Sequence, residues 1–280
     1  MILAWLGGLA VASPLERHHY RVAVAAITEV LEVDDRPEWH ARLGSAKARL
    51  GHYTDALPAF GHGEGAPWYE REGWRDHANT LRALGRCAEA ARLRETFEPV
   101  VDDSAALWAD IAEDWRACGE RDAAFEAIAA AQVRTVDHPI AHAVLADLHR
   151  DQKHWTTAAY HLEKALLVEV PGDIRPRLSL AEHQMLTGDL DGAERELRRL
   201  VVGHMRDPRL FLARTALYLR TGRVGEAAAL ARRGPWKDHE DTRVVCRRLA
   251  IHEATDELQD ADALRRLALA RTGSVPRCPS

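Results

Sequence analysis

Histidine, carboxylate and cysteine side chains could do chemistry in this chain, and their spacing falls short of each site it approaches. His252-Glu253-Ala254-Thr255-Asp256 begins as a zinc-binding HExxH helix would, but an aspartate stands where the second histidine ligand belongs. His142 and His149 share a helix face yet sit about 10 Å apart along it at 1.5 Å per residue, too far for one ion. His138 and His142 are better spaced, but Pro139 starts a helix between them, so surface or packing roles are expected. Asp189-Leu190-Asp191-Gly192 opens like a calcium loop and lacks the later ligands, which leaves helix capping. Gly61-His62-Gly63-Glu64-Gly65 follows a helix instead of opening one, the wrong end for cradling phosphate. No Walker loop, GxSxG or strand-borne GxGxxG is present. Cys87, Cys118, Cys246 and Cys278 have no metal spacing and are too few for a disulfide framework, so reduced thiols in a cytoplasmic protein are expected. The sequence therefore predicts no catalytic residue, no cofactor and no metal.

The elements that would carry any site are helices. Of 280 residues, 48 are alanine, and 46% hydrophobic with 29% charged is the composition of a chain that forms a core. Eight tryptophans are expected mainly in packing positions, with Trp68 and Trp236 less constrained. Arginine outnumbers lysine 34 to 4, a bias first expected of a GC-rich genome. Residues 1–174 carry 18 basic and 28 acidic side chains, and residues 175–280 carry 20 and 15, so the two parts stand at -10 and +5. Met1 to Ala12 is apolar and ends Ala10-Val11-Ala12, but it lacks a basic start. A first helix is expected there, with an export signal as the alternative. It is too short for a bilayer span, which takes about 20 apolar residues.

A repeat decides the architecture. Gly51, Gly85, Gly119, Lys153, Gly188, Gly222 and Asp256 follow one another at 34 residues, once at 35. Five residues beyond each stands an alanine: Ala56, Ala90, Ala124, Ala158, Ala193, Ala227 and Ala261. Seven before the marker the side chain is small (Gly44, Ala78, Ala112, Ala146, Ala181, Thr215), and eight before it Leu43, Ile111, Leu145 and Leu180 are apolar, with Arg214 and Arg248 breaking the column. An apolar segment of helical period precedes each marker and a second follows, which predicts a helical hairpin per unit. Small residues let the two axes approach. Pro37, Pro67, Pro139, Pro171, Pro208 and Pro235 fall at the joints.

The first unit, Trp39 through Leu43-Gly44, Gly51-His52-Tyr53, Ala56 and Phe60, resembles the tetratricopeptide repeat. The resemblance covers residues 37 to about 270. It implies an all-α, right-handed solenoid of stacked antiparallel hairpins. Residues 1–36 would be a degenerate leading unit whose second helix runs from Leu15 to Val33, residues 37–270 seven units in one continuous array, and 271–280 a tail. It implies a non-catalytic scaffold or adaptor that binds a protein or peptide segment along the concave face, lined by positions 13, 10, 6, 3 and 2 before each marker. The first of those columns reads Glu38, Glu72, Ala106, Ile140, Arg175, Arg209, Arg243. With Leu178, Met185, Leu186, Leu212, Leu219 and Arg220, these arginines would edge an apolar strip suited to an acidic segment with apolar anchors. The last helices or the tail could instead cover that strip. Glu113 with Arg116, and Asp147 with Arg150, should neutralise the middle of the groove. Arg75 and Asn79 match the opening of the clamp some such proteins use for chaperone C-termini, but Asp110, Ile140 and Val144 stand where its remainder belongs, so that partner is not expected. A nucleic-acid binder using the arginine column is the alternative, opposed by the overall charge of -5; an enzyme hidden among the central histidines comes behind it.

Overall fold

The computed structural model describes residues 14–168, 170, 172–232, 236, 239–272 and 278. The apolar start, Pro171, Pro235 and most of the tail lie outside them. Among the described residues there are fifteen α-helices and no strand. After α1 (Pro14–Leu31) they pair as α2 (Pro37–Arg49) with α3 (Tyr53–Gly63), α4 (Trp74–Ala83) with α5 (Cys87–Thr96), and α6 (Ser104–Ala117) with α7 (Arg121–Arg134). Then come α8 (Pro139–Asp151) with α9 (Trp155–Leu166), α10 (Arg175–Thr187) with α11 (Leu190–His204), α12 (Pro208–Arg220) with α13 (Val224–Arg232), and α14 (Thr242–Ala254) with α15 (Leu258–Thr272).

Each repeat marker is the residue that turns the chain between paired helices. All seven have positive φ, between 57° and 93°, including Lys153 and Asp256, which carry a side chain into the left-handed region at about 1–2 kcal/mol each. In six units the amide after the marker donates back across the turn, as His52 does to the Lys47 carbonyl at 3.0 Å and Arg86 to Leu81 at 2.8 Å. Those bonds satisfy carbonyls that the helix end leaves open. The alanine five residues on is fully buried in every unit. Ala124→Leu and Ala158→Leu are each expected to destabilise by ~1–3 kcal/mol through overpacking where the axes approach; melting temperatures unchanged in both would refute the packing assigned to that column.

Stacking makes the array continuous. Each second helix packs on the first helix of the next unit, and first helices touch in succession from α6 to α14, as α2 and α4 do. The first helices therefore form one surface. α1 packs on α2, in the place that the second helix of a preceding unit would take. Trp74 stacks on Phe97 at 4.8 Å and Trp236 on Phe211 at 4.5 Å, so Trp236, although at a joint, is 2% exposed core.

Two features depart from expectation. The cysteines are paired, Cys87 with Cys118 and Cys246 with Cys278, with Cα atoms 6.0 and 5.3 Å apart, which corrects the reading of reduced thiols. Cys87 lies just after one marker and Cys118 just before the next, so stacking by one repeat brings 31 residues of separation to one place. The array also curls until its ends meet. The Glu240 amide donates to the Gly51 carbonyl at 3.0 Å, the Thr54 amide donates to Glu240 Oε2 at 2.8 Å, and the Tyr53 and His239 rings meet edge-on at 5.4 Å. A Cβ on Gly51 would lie 2.5 Å from His239 Cδ2, so this contact also needs glycine.

Candidate functional site

Arg175, Arg209 and Arg243 begin the first helices of three successive units, and each is held by the aspartate two residues before it. Asp207 Oδ1 accepts from the Arg209 backbone N–H at 2.8 Å, capping the helix, and from its Nε at 3.0 Å. Asp241 treats Arg243 likewise at 2.9 and 3.2 Å, and Asp173 treats Arg175 at 2.9 and 3.0 Å. Burial pulls these guanidiniums down, but the adjoining carboxylates outweigh it and hold all three above their ordinary value. Arg175 also reaches Asp110 on α6 at 2.5 Å, two units away, so the concave face is narrow enough for charges to bridge it.

This arginine row separates two half-open cavities. The larger, about 400 Å³, has α4, the Arg49–Tyr53 turn and the aspartates Asp173, Asp207 and Asp241 on its other walls. The smaller, about 300 Å³, is floored by Leu178 and Leu212 and walled by Glu113, Arg116, Asp147 and Glu182. The expected local pairs of the middle units form there, Arg116 with Glu113 at 3.3 Å and Arg150 with Asp147 at 2.7 Å, and they extend across units to Asp151 at 2.8 Å and Glu182 at 2.5 Å.

The apolar residues of the expected strip divide. Leu178 and Met185 are 5% exposed and pack with Leu197 and Leu210 inside the array, which leaves little of either for a ligand. Leu212 and Leu219 are half-buried against the cluster around Phe211 and Trp236. Leu186 is exposed. Arg220 donates to the Met185 carbonyl, tying its unit to the one before. The strip is therefore discontinuous, because a helix of 3.6-residue period turns Leu178 and Met185 toward α11 and α12.

The backbone repeats this hairpin with its left-handed turn every 34 or 35 residues, and the solved structures that resemble it are helical arrays. Cut9, from an APC/C hetero-tetramer with Hcn1, superimposes with a TM-score of 0.57 at 12% identity over 96% of this chain and 52% of that one, so this chain spans about half of Cut9. A tetratricopeptide repeat protein from Parabacteroides merdae gives 0.49 at 17% over 90% and 93%. The chain has the tetratricopeptide-repeat fold. A monomeric mutant of IFIT1 with m7Gppp-AAAA gives 0.50 at 17% identity over 90% of this chain and 67% of that one. No protein-family model and no curated protein matches the sequence.

Within this tetratricopeptide-repeat array the most buried charges were not among the residues singled out from the sequence. Arg94 on α5 and Asp114 on α6 are 3% and 0% exposed and meet at 2.7 Å. Arg94 also donates to Asn79 Oδ1 at 2.7 Å and lies 3.6 Å from Asp110. Burial lowers its basicity, and the carboxylates of Asp114 and Asp110 more than restore it. Asp110 and Asp114, one helical turn apart, were the available signal.

The histidines form packing clusters. His142 and His161 approach at 3.0 Å between Nδ1 atoms, and burial together with these neighbours pushes His161 down to about 4. His252, Glu257 and Asp260 come close enough to share an ion, but Glu257 already carries the Arg232 guanidinium, which would oppose a second cation. No described helix is long and apolar enough to cross a membrane.

Proposed function

We propose that this chain is a non-catalytic scaffold that holds an acidic segment of a partner protein on its concave face. The observation that supports it is the row Arg175, Arg209 and Arg243, held at one-repeat intervals by its own aspartates and facing the interior. Donors fixed before binding lose less freedom when a carboxylate arrives. Leu186, with the accessible parts of Leu212 and Leu219, supplies the apolar anchoring area, smaller than the column alone implies. The two disulfides support the export alternative over a cytoplasmic location, since such bonds persist in oxidising compartments.

Arg209→Glu would place a second carboxylate beside Asp207 and unsettle the start of α12, so Arg243→Gln and Leu186→Asp are the informative variants. Peptides selected from a displayed library of acidic, leucine-containing sequences are expected to lose at least ten-fold in affinity with each variant, at unchanged melting temperature for the exposed Leu186→Asp and at a lowered one for Arg243→Gln, which leaves the buried Asp241 carboxylate without its partner. Full affinity in both would move the binding surface elsewhere. A nucleic-acid reading draws on the IFIT1 likeness and the arginine row; single-stranded oligonucleotides binding more tightly than any acidic peptide, with a steep loss in salt, would replace the peptide reading.

A further inference from the structure

The larger cavity has an unbalanced wall. Eight guanidiniums and five carboxylates line it, with Asp114 behind Arg82 and Arg94, whereas the smaller cavity has four of each. The five carboxylates are engaged. Asp173, Asp207 and Asp241 hold the arginines that follow them, Asp110 takes Arg175 and Arg94, and Asp76 takes Arg49 at 3.1 Å.

Two cations on α4 are not balanced this way. Arg82 meets Asp114 at 3.4 Å, a carboxylate that Arg94 already holds at 2.7 Å, and burial, larger than the pull of Asp114, leaves Arg82 below its ordinary value while its arginine neighbours stand above theirs. Arg75, exposed at the cavity wall, donates to the Arg71 carbonyl at 2.8 Å and lies over the Trp74 ring at 4.5 Å, and among the described residues no carboxylate pairs with it. Asn79 stands between them on the same helix; its oxygen accepts from Arg94, which leaves its amide nitrogen as a donor.

We propose that the larger cavity is a binding site for a small molecule bearing two or more anionic groups, seated on Arg75, Asn79 and Arg82 opposite Arg175, Arg209 and Arg243. Its volume of about 400 Å³ falls in the small-ligand range of roughly 300–1,000 Å³. Fixed donors with an excess of positive charge favour a multivalent anion over a single carboxylate. The contact between the Gly51 turn and the His239–Asp241 segment completes the cavity wall, so the site exists only in the curled array. This site shares the arginine row with the partner segment proposed above, but its deciding residues, Arg75 and Arg82, lie on α4 outside that row, and its test uses no peptide.

Isothermal titration of the full chain with tripolyphosphate and with citrate, at about 0.15 M salt to screen diffuse attraction, is expected to show one saturable site for at least one of them. Binding by both assigns recognition to charge alone, and binding by one identifies phosphate or carboxylate as the preferred group. Arg75→Ala and Arg82→Gln should each weaken it at least ten-fold, and Arg198→Ala, outside the cavity, should leave it unchanged. If Arg82→Gln fails to fold, Arg75→Ala decides, because that side chain is exposed. No saturable binding of either anion, or binding that survives Arg75→Ala, overturns the proposal.

Discussion

Arg94→Ala is expected to destabilise the fold by ~3–5 kcal/mol, because it leaves the Asp114 carboxylate buried without its closest partner. The attraction within the pair is not itself the source of so large a loss, since taking both charges from water offsets most of it. The loss comes from stranding one of them. Arg94→Met combined with Asp114→Leu is expected to recover only part of the stability, because removing Asp114 leaves Arg82 without the carboxylate that it meets at 3.4 Å. Arg198→Ala, whose pairing with Glu194 is 77% exposed on the arginine side, is expected to lose no more than about 1 kcal/mol. Urea denaturation of the three variants measures all of this. A loss below about 1 kcal/mol for Arg94→Ala would mean that water reaches Asp114 and that the interior of the array is wetter than its packing implies.

Removing the Cys87–Cys118 bridge is expected to lower stability by ~3–4 kcal/mol, the loop-closure entropy that a cross-link over 31 residues withholds from the unfolded chain. The Cys246–Cys278 bridge spans 32 residues, but Cys278 is exposed beyond the last helix, so opening it should release the terminus more than the array and lower stability less. Protein purified without reductant and unfolded in guanidinium should show no reactive thiol. Four reactive thiols would overturn both bridges, and Cys87→Ser with Cys118→Ser at unchanged stability would overturn the effect assigned to the first.

The hairpins were legible because their determinants are local. A glycine that accepts positive φ and an alanine five residues on each act within one unit, and seven repetitions separate them from chance. Even Lys153 and Asp256, which violate the glycine rule, were placed correctly by the count. Arg175, Arg209 and Arg243 were legible for the same reason, as a column at one-repeat spacing. Their aspartates at positions 173, 207 and 241 repeat at the same interval, but a carboxylate two residues before an arginine reads as surface charge until the backbone amide that it accepts from is known.

What the sequence determined by itself is thus the unit: the hairpin, its turn, its small-residue interface and the face its first helix presents. The tertiary structure decided how the units close. Gly51 meets Glu240 and Arg175 reaches Asp110 only because a small rotation at each interface accumulates along the stack, and Cys87 joins Cys118 because one unit stacks on the next. That rotation is set by the summed packing of many side chains, and no single residue or spacing encodes it. The same closure turned an open groove edged with arginine into two cavities of unequal charge, whereas packing of α10 against its neighbours α11 and α12 took Leu178 and Met185 into the core, where the column alone had placed them at the surface.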